Sequence, residues 1–125
     1  MGGGAAVSAT AAALPTVSWI ARAQPYPTRP IMMIVPYGAG GPTDTVGRII
    51  AEGMRGALGQ SIIVENVAGA SATIGVGRVA RAAGDGYTLG IGNWSSHVLN
   101  GAIFALQYDL LRDFEPIAHI GAIRS

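Results

Sequence analysis

Three short stretches carry the polar groups with which this chain could do chemistry. The first, Gly38-Ala39-Gly40-Gly41-Pro42-Thr43-Asp44, follows the apolar run Ile31-Met32-Met33-Ile34-Val35 and Pro36-Tyr37. The second is Gly69-Ala70-Ser71-Ala72-Thr73, and the third is Asn93-Trp94-Ser95-Ser96-His97. Each stands where an apolar run gives way to helical spacing, so that backbone N–H groups at the helix start have no intrahelical acceptor. Amides of that kind, together with the positive end of the helix dipole, hold a phosphate or a carboxylate. The same residues also have a plainer meaning, since glycines make tight turns and Ser71, Thr73, Ser95 or Ser96 can cap a helix. Both readings stand for each stretch. Asp44, in a first helical turn, is accounted for by the dipole alone, and His97, near a helix start, is expected to be neutral because the dipole opposes its protonation.

The remaining inventory excludes more than it offers. All eight basic residues are Arg, so a phosphate-loop lysine, a Schiff-base lysine and a lysine general base are ruled out. The chain has no Cys, and with it no thiol nucleophile, thiolate-bound zinc or disulfide. His97 and His119 lack the paired spacing of a metal site. Arg48, Arg55, Arg78 and Arg81 fall at exposed spacing on two expected helices without interleaved aromatics, so nucleic acid is not an expected partner. No nucleophile stands beside a base. Binding without catalysis, with neither cofactor nor metal, is the expectation. One enzyme alternative remains: Gly38-x-Gly40-x-x-Thr43 followed by Glu65 imitates a nicotinamide dinucleotide fingerprint, although Thr43 replaces the small residue that lets helix pack on strand.

The elements that must position these stretches repeat one phrase. The apolar run 31–35 reads as a strand covered on both faces. Thr43 to Leu58 places Val46, Ile49, Ile50, Met54 and Leu58 at helical spacing, with Pro42 in the first turn and Gly59 as the stop. Ser61 to Glu65 then reads as a strand and Ile74 to Ala83 as a helix. Tyr87 to Ile91 is a third strand, and His97 to Leu106 a third helix with Val98, Leu99, Ala102, Ile103 and Leu106 inward. A fourth strand is expected from Pro116, with His119 buried in it. Strand, turn and helix in this order predict an α/β fold, a parallel sheet with helices on its faces, because parallel strands need crossover connections. The three loops then leave the carboxyl ends of the strands at one rim, where open parallel sheets bind ligands.

Residues 1–23 are small, apolar and nearly uncharged, and end in Ala21-Arg22-Ala23, the small-x-small pattern of a cleaved export signal. The expectation is a signal peptide over 1–23, cleavage after Ala23 and a periplasmic product, although no basic residue follows Met1. A membrane anchor fits less well, since the run is mainly Gly and Ala and is broken by Pro15. Residues 24–30, with three prolines, read as an extended connector.

Several ordered motifs now carry a likeness: YPTRPI at 26–31, VPYGAGGPTD at 35–44, LGQ at 58–60, VEN at 64–66, Gly69-Ala70, DGYTL at 85–89, and Tyr108-Asp109 through DFEPI at 113–117. The chain from 26 to about 122 resembles the periplasmic substrate-binding proteins of tripartite tricarboxylate transporters, the TctC-like or Bug proteins. The resemblance implies a two-lobed periplasmic binding protein fold, of which residues 31–125 would be the first part of the amino-terminal lobe. It implies a small carboxylate as ligand and membrane transporter subunits as partners. Carried over by position, Tyr37, Ala39, Gly40, Gly41, Thr43 and Asp44 would form one ligand-facing loop, Gly69, Ala70, Ser71 and Thr73 the second, and Ser95, Ser96 and His97 the third. Two departures bear on ligand class rather than fold: Val67-Ala68 stands where Arg-Pro is frequent, and Thr73 where Asn is common. Family members run more than twice as far, so the chain is expected to be incomplete, and a non-functional truncated remnant is a further alternative.

Overall fold

The computed structural model of the chain describes residues 2–15 and 23–121. Of the expected signal peptide, Met1 and residues 16–22 lie outside the described residues. Residues 2–15 have no helix or strand and are exposed.

Strand β1, Ile31–Val35, is the centre of a three-stranded parallel sheet of order β2-β1-β3, with β2 at Ile62–Asn66 and β3 at Thr88–Gly90. Its unbroken apolar sequence follows from that position: Ile31, Ile34 and Val35 are fully buried and Met33 nearly so. Burying each such side chain contributes on the order of 1.5–3 kcal/mol. Register pairs Val35 with Asn66 and Ile34 with Gly90. All three strands therefore end along one edge, and the three loops emerge from it.

Helix α1, Pro42–Leu58, begins with proline in its first turn and ends at Gly59, whose N–H bonds the Arg55 carbonyl. Helical spacing of the large apolar residues is right for this element, yet its fully buried side is Asp44, Gly47 and Ala51. Ile49 is 69 % exposed. The cause is close approach: a Cβ at position 47 would stand 3.2 Å from Val35 Cγ2, so small residues occupy the contact line. Helix α2, Thr73–Ala80, lies closer still. A Cβ at Gly75 would stand 2.6 Å from the Val67 carbonyl oxygen and 2.8 Å from Pro36 Cα, a distance that only glycine permits.

Two expectations are corrected in the last third. The third helical element is a π-helical turn, Ser95–Leu99, that runs into a short α-helix, α3, Asn100–Ile103. Its buried residues are Ser96 and Asn100, whereas Val98 and Ile103, expected inward, are exposed. The wider π turn holds an extra residue and rotates the following side chains relative to α-helical phase. Residues 116–121 form no strand, and Ile117, His119 and Ile120 are exposed. A strand persists only where a neighbour completes its backbone hydrogen bonds, and among the described residues β3 receives none from this segment. Residues 122–125 lie outside the described residues.

The connector at 24–30 is docked rather than free. Tyr26 Oη donates to the Gly86 carbonyl at 2.6 Å, the Thr28 N–H donates to Tyr87 Oη at 2.9 Å, and the Arg29 guanidinium lies 3.8 Å above the Tyr87 ring. These contacts sit where β1 and β3 begin, at the edge opposite the three loops.

Candidate loop-borne binding site

The first loop is organised by a carboxylate it buries. Asp44, 2 % exposed, accepts the Gly40 N–H at 2.8 Å and Arg48 Nε at 3.0 Å on Oδ2, and Asn66 Nδ2 at 2.9 Å on Oδ1. These donors, chiefly Arg48, hold its pKa down from 3.8 to about 2. The helix dipole is therefore not the whole account of Asp44: its side chain folds back to fix Gly40. With both oxygens engaged, it serves the loop's shape. Asn66 extends the brace, donating also to the Tyr37 carbonyl at 3.0 Å and accepting from Arg48 Nη2 at 3.0 Å. Gly41, at the helix N-cap, makes no side-chain cap. The N–H groups of Thr43 and Asp44, in the first turn of a 17-residue helix, have no intrahelical acceptor and face the rim with the helix dipole behind them.

The second loop has an unusual backbone. Gly69 leads into a 3-10 turn, Ala70–Ala72, in which Ala70, Ser71 and Ala72 all adopt left-handed φ values of 44°, 55° and 74°. Each such non-glycine residue is strained by about 1–2 kcal/mol. Neither Ser71 nor Thr73 caps α2; Thr73 Oγ1 instead donates to the Ala70 carbonyl at 2.8 Å. The Ser71 carbonyl accepts a 2.6 Å bond from buried Asn100 Nδ2.

In the third loop Asn93 and Ser96 bond each other reciprocally. Asn93 N–H donates to Ser96 Oγ, and Ser96 N–H donates to Asn93 Oδ1, each at 3.1 Å, the pattern of a capping box. Ser96 is fully buried and also lies 2.9 Å from His97 Nδ1, so its hydroxyl is occupied within the loop. His97 stacks edge-on against Phe114 at 5.5 Å. Its pKa lies below 6.5 because burial disfavours the imidazolium. Close packing requires Gly92 here, since a Cβ at that position would stand 2.2 Å from the His97 ring. Ser95 and Trp94 are exposed.

The structure links these loops through bonds that sequence reasoning did not foresee, two of them made by asparagines, Asn66 and Asn100, outside the expected site. Tyr37 Oη donates to Asn93 Oδ1 at 2.8 Å, tying the first loop to the third. Asn66 ties the first loop to the end of β2, and Asn100 ties the third element to the second loop. Each asparagine follows or ends an apolar run, which is the one local sign of its place; the partners lie up to 56 residues away. Glu65, the acidic residue of the dinucleotide imitation, is paired with both terminal guanidinium nitrogens of Arg78. Among the described residues no group of three or more His, Cys, Asp or Glu could hold a metal ion, and no helix is long and apolar enough to cross a membrane.

A parallel α/β lobe with loops gathered at the carboxyl edge of its sheet has the arrangement in which open sheets of ligand-binding proteins carry their sites. Comparison with known proteins gives the particular family. A family model described as the tripartite tricarboxylate transporter family receptor matches residues 46–124, and the chain belongs to that family. Protein BugT of Bordetella pertussis is 39% identical over 103 residues, covering 81% of this chain and 32% of its own length. A protein encoded in an intergenic region of Agrobacterium vitis is 48% identical over 85 residues, 67% of this chain and 24% of its own. Among solved structures, MatC from Rhodopseudomonas palustris with bound malate superposes with a TM-score of 0.70 at 44% identity, over 73% of this chain and 31% of that one. A second structure, of a periplasmic transporter, gives 0.68 at 41% identity over 70% and 30%. The chain thus spans about a third or less of these relatives. The parallel sheet with helices is the fold they share, and the family is one of transport receptors rather than enzymes.

Proposed function

We propose that this chain supplies one wall of a cleft that captures a small dicarboxylate in the periplasm for a tripartite transporter in the membrane. The observation that carries the reading is the uncapped start of α1, held open by Asp44, which bonds Gly40 and leaves the Thr43 and Asp44 amides toward the rim. A carboxylate is the group those donors suit, bound directly or through bridging water. The candidate contacts are Tyr37, Ala39, Gly40, Gly41 and Thr43, with Gly69, Ala70, Ser71 and Thr73 on the second loop and Ser95 and His97 on the third. Asp44 and Ser96 act by shaping the loops that carry them. The MatC relative holds malate and another R. palustris relative, 38% identical with a TM-score of 0.57, holds adipate, which supports the ligand class. Export through residues 1–23, with cleavage after Ala23, belongs to the same reading, as does recognition by membrane subunits of the transporter.

The test is a titration of the 15N-labelled chain with malate, adipate and, as a control, NAD, followed by amide NMR shifts. Saturable shifts at Gly41, Thr43 and Asp44 with the dicarboxylates and none with NAD are expected. A folded sample whose loop amides ignore every carboxylate overturns the proposal, and a response to NAD alone would favour the dinucleotide alternative.

A further inference from the structure

The second loop and the third helical element share a feature that neither explains alone. Three successive non-glycine residues hold left-handed backbone at Ala70, Ser71 and Ala72. Strain of that kind persists only where surrounding contacts over-determine it. Among the side-chain hydrogen bonds of the described residues, the one that reaches this turn from outside the loop is Asn100 Nδ2 on the Ser71 carbonyl, at 2.6 Å across 29 residues. Asn100 is 2 % exposed, so its polar side chain is buried for this bond. It directly follows a π turn, Ser95–Leu99, in which Ser96 is buried as well. Such turns cost backbone hydrogen-bond geometry and recur at functional sites. Ser96 and Asn100 stand at i and i+4, on one side of the element, Ser96 closing the third loop and Asn100 holding the second.

We infer that Asn100 is a positioning residue of the binding site, fixing the left-handed turn Ala70–Ala72 and so the place of the second loop at the rim. The inference rests on the assignment of that loop to the carboxylate site. A bond from a buried amide to a strained carbonyl joins two loops that sequence separates, and the ligand contacts it sets are made by other residues. Thr73 Oγ1, on the Ala70 carbonyl, supports the turn from within. It cannot substitute for Asn100, because it reaches a different carbonyl and moves with the loop.

The test uses the whole 125-residue chain in three forms: Asn100→Ala, Ala72→Gly, at a left-handed position that is not among the candidate contacts, and the double variant. The sign of φ at residues 70–72 is read without ligand from NMR scalar couplings, with Cβ shifts added at the positions that are not glycine, and malate affinity is read separately from amide shifts. In Asn100→Ala, the couplings at 70–72 should leave the left-handed range, and malate affinity should fall about tenfold, a change of about 1.4 kcal/mol. Glycine adopts left-handed backbone without the Cβ penalty, so the double variant should regain left-handed geometry and most of the affinity. If Asn100→Ala does not fold, recovery of folding in the double variant supports the role, and its failure to recover overturns it. Left-handed φ retained at all three positions in Asn100→Ala would overturn it equally, as would a double variant no better than the single. Loss of the left-handed couplings in a chain that never responds to malate would leave the role of Asn100 standing and sink the carboxylate assignment instead.

Discussion

The two flanks of β1 are built on opposite plans. On the β2 flank a 17-residue helix lies against the sheet with small residues at its contact line, and one buried carboxylate gathers Gly40, Arg48 and Asn66 into a closed network. On the β3 flank the strand has three residues, the following element is a π turn, and its buried groups are Ser96 and Asn100 while large apolar side chains such as Val98, Ile103 and Ile117 are exposed. Packing dominates the first flank and hydrogen bonding the second. A binding loop needs both: a rigid base that fixes where the amides stand, and a neighbour whose position is set by directional bonds rather than by close packing.

That contrast can be broken or sharpened by substitution. The largest effect belongs to the shared centre: Ile34→Ala, at a fully buried position, should destabilise the fold by about 3–4 kcal/mol in urea unfolding, and a loss below about 1 kcal/mol would mean that β1 is not the core. Gly75→Ala should cost about 2 kcal/mol by forcing α2 away from Pro36 and Val67, and a neutral result would disprove the close approach. Tyr37→Phe removes the bond to Asn93 that joins the two flanks. It should cost about 1 kcal/mol, with amide shifts that spread from the first loop to the third; shifts confined to residues near 37 would argue that the flanks are independent.

Acid should separate the flanks in sequence. His97 has a folded pKa below 6.5, so its contribution is complete above that value and declines as pH falls below it, when the unfolded chain takes up a proton that the folded chain resists. Asp44, lowered to about 2 from 3.8, contributes fully above 3.8, and that contribution is lost only as pH falls from there toward 2. Hydrogen exchange should therefore quicken first around residues 93–100 and only later around 40–66; the reverse order would contradict both assignments. The smallest effect is expected at Ile117→Ser. With Ile117 78 % exposed, the change should fall within about 0.5 kcal/mol. A larger loss would mean that a partner surface covers this residue in solution.

The sheet, its parallel sense and the places of α1, β2 and α2 were legible because hydrophobic period, proline and glycine act locally. So was the gathering of three loops at one edge, which follows from parallel strands alone. The left-handed turn at 70–72 was not legible, since Ala and Ser do not announce positive φ and the conformation is held by a residue 29 positions away. The reversed face of the third helical element escaped for a related reason. A period of 3.6 places Val98 and Ile103 inward, whereas a π turn changes the phase and cannot be read from apolar spacing. Asp44 was recognised as a first-turn acid, but its donors Gly40 and Asn66 depend on how the loop folds back. The fourth strand was inferred from apolar composition, which records a wish for burial but not the neighbour that must supply it.

The docking of Tyr26, Thr28 and Arg29 against Gly86, Tyr87 and Asp85 has a practical corollary. It pins residues 26–29 to the end of the sheet opposite the three loops. A dye, an affinity handle or a sensor surface joined to this segment would stand at the opposite edge from the three loops, so a molecule immobilised there would keep that loop-bearing edge turned to the solution.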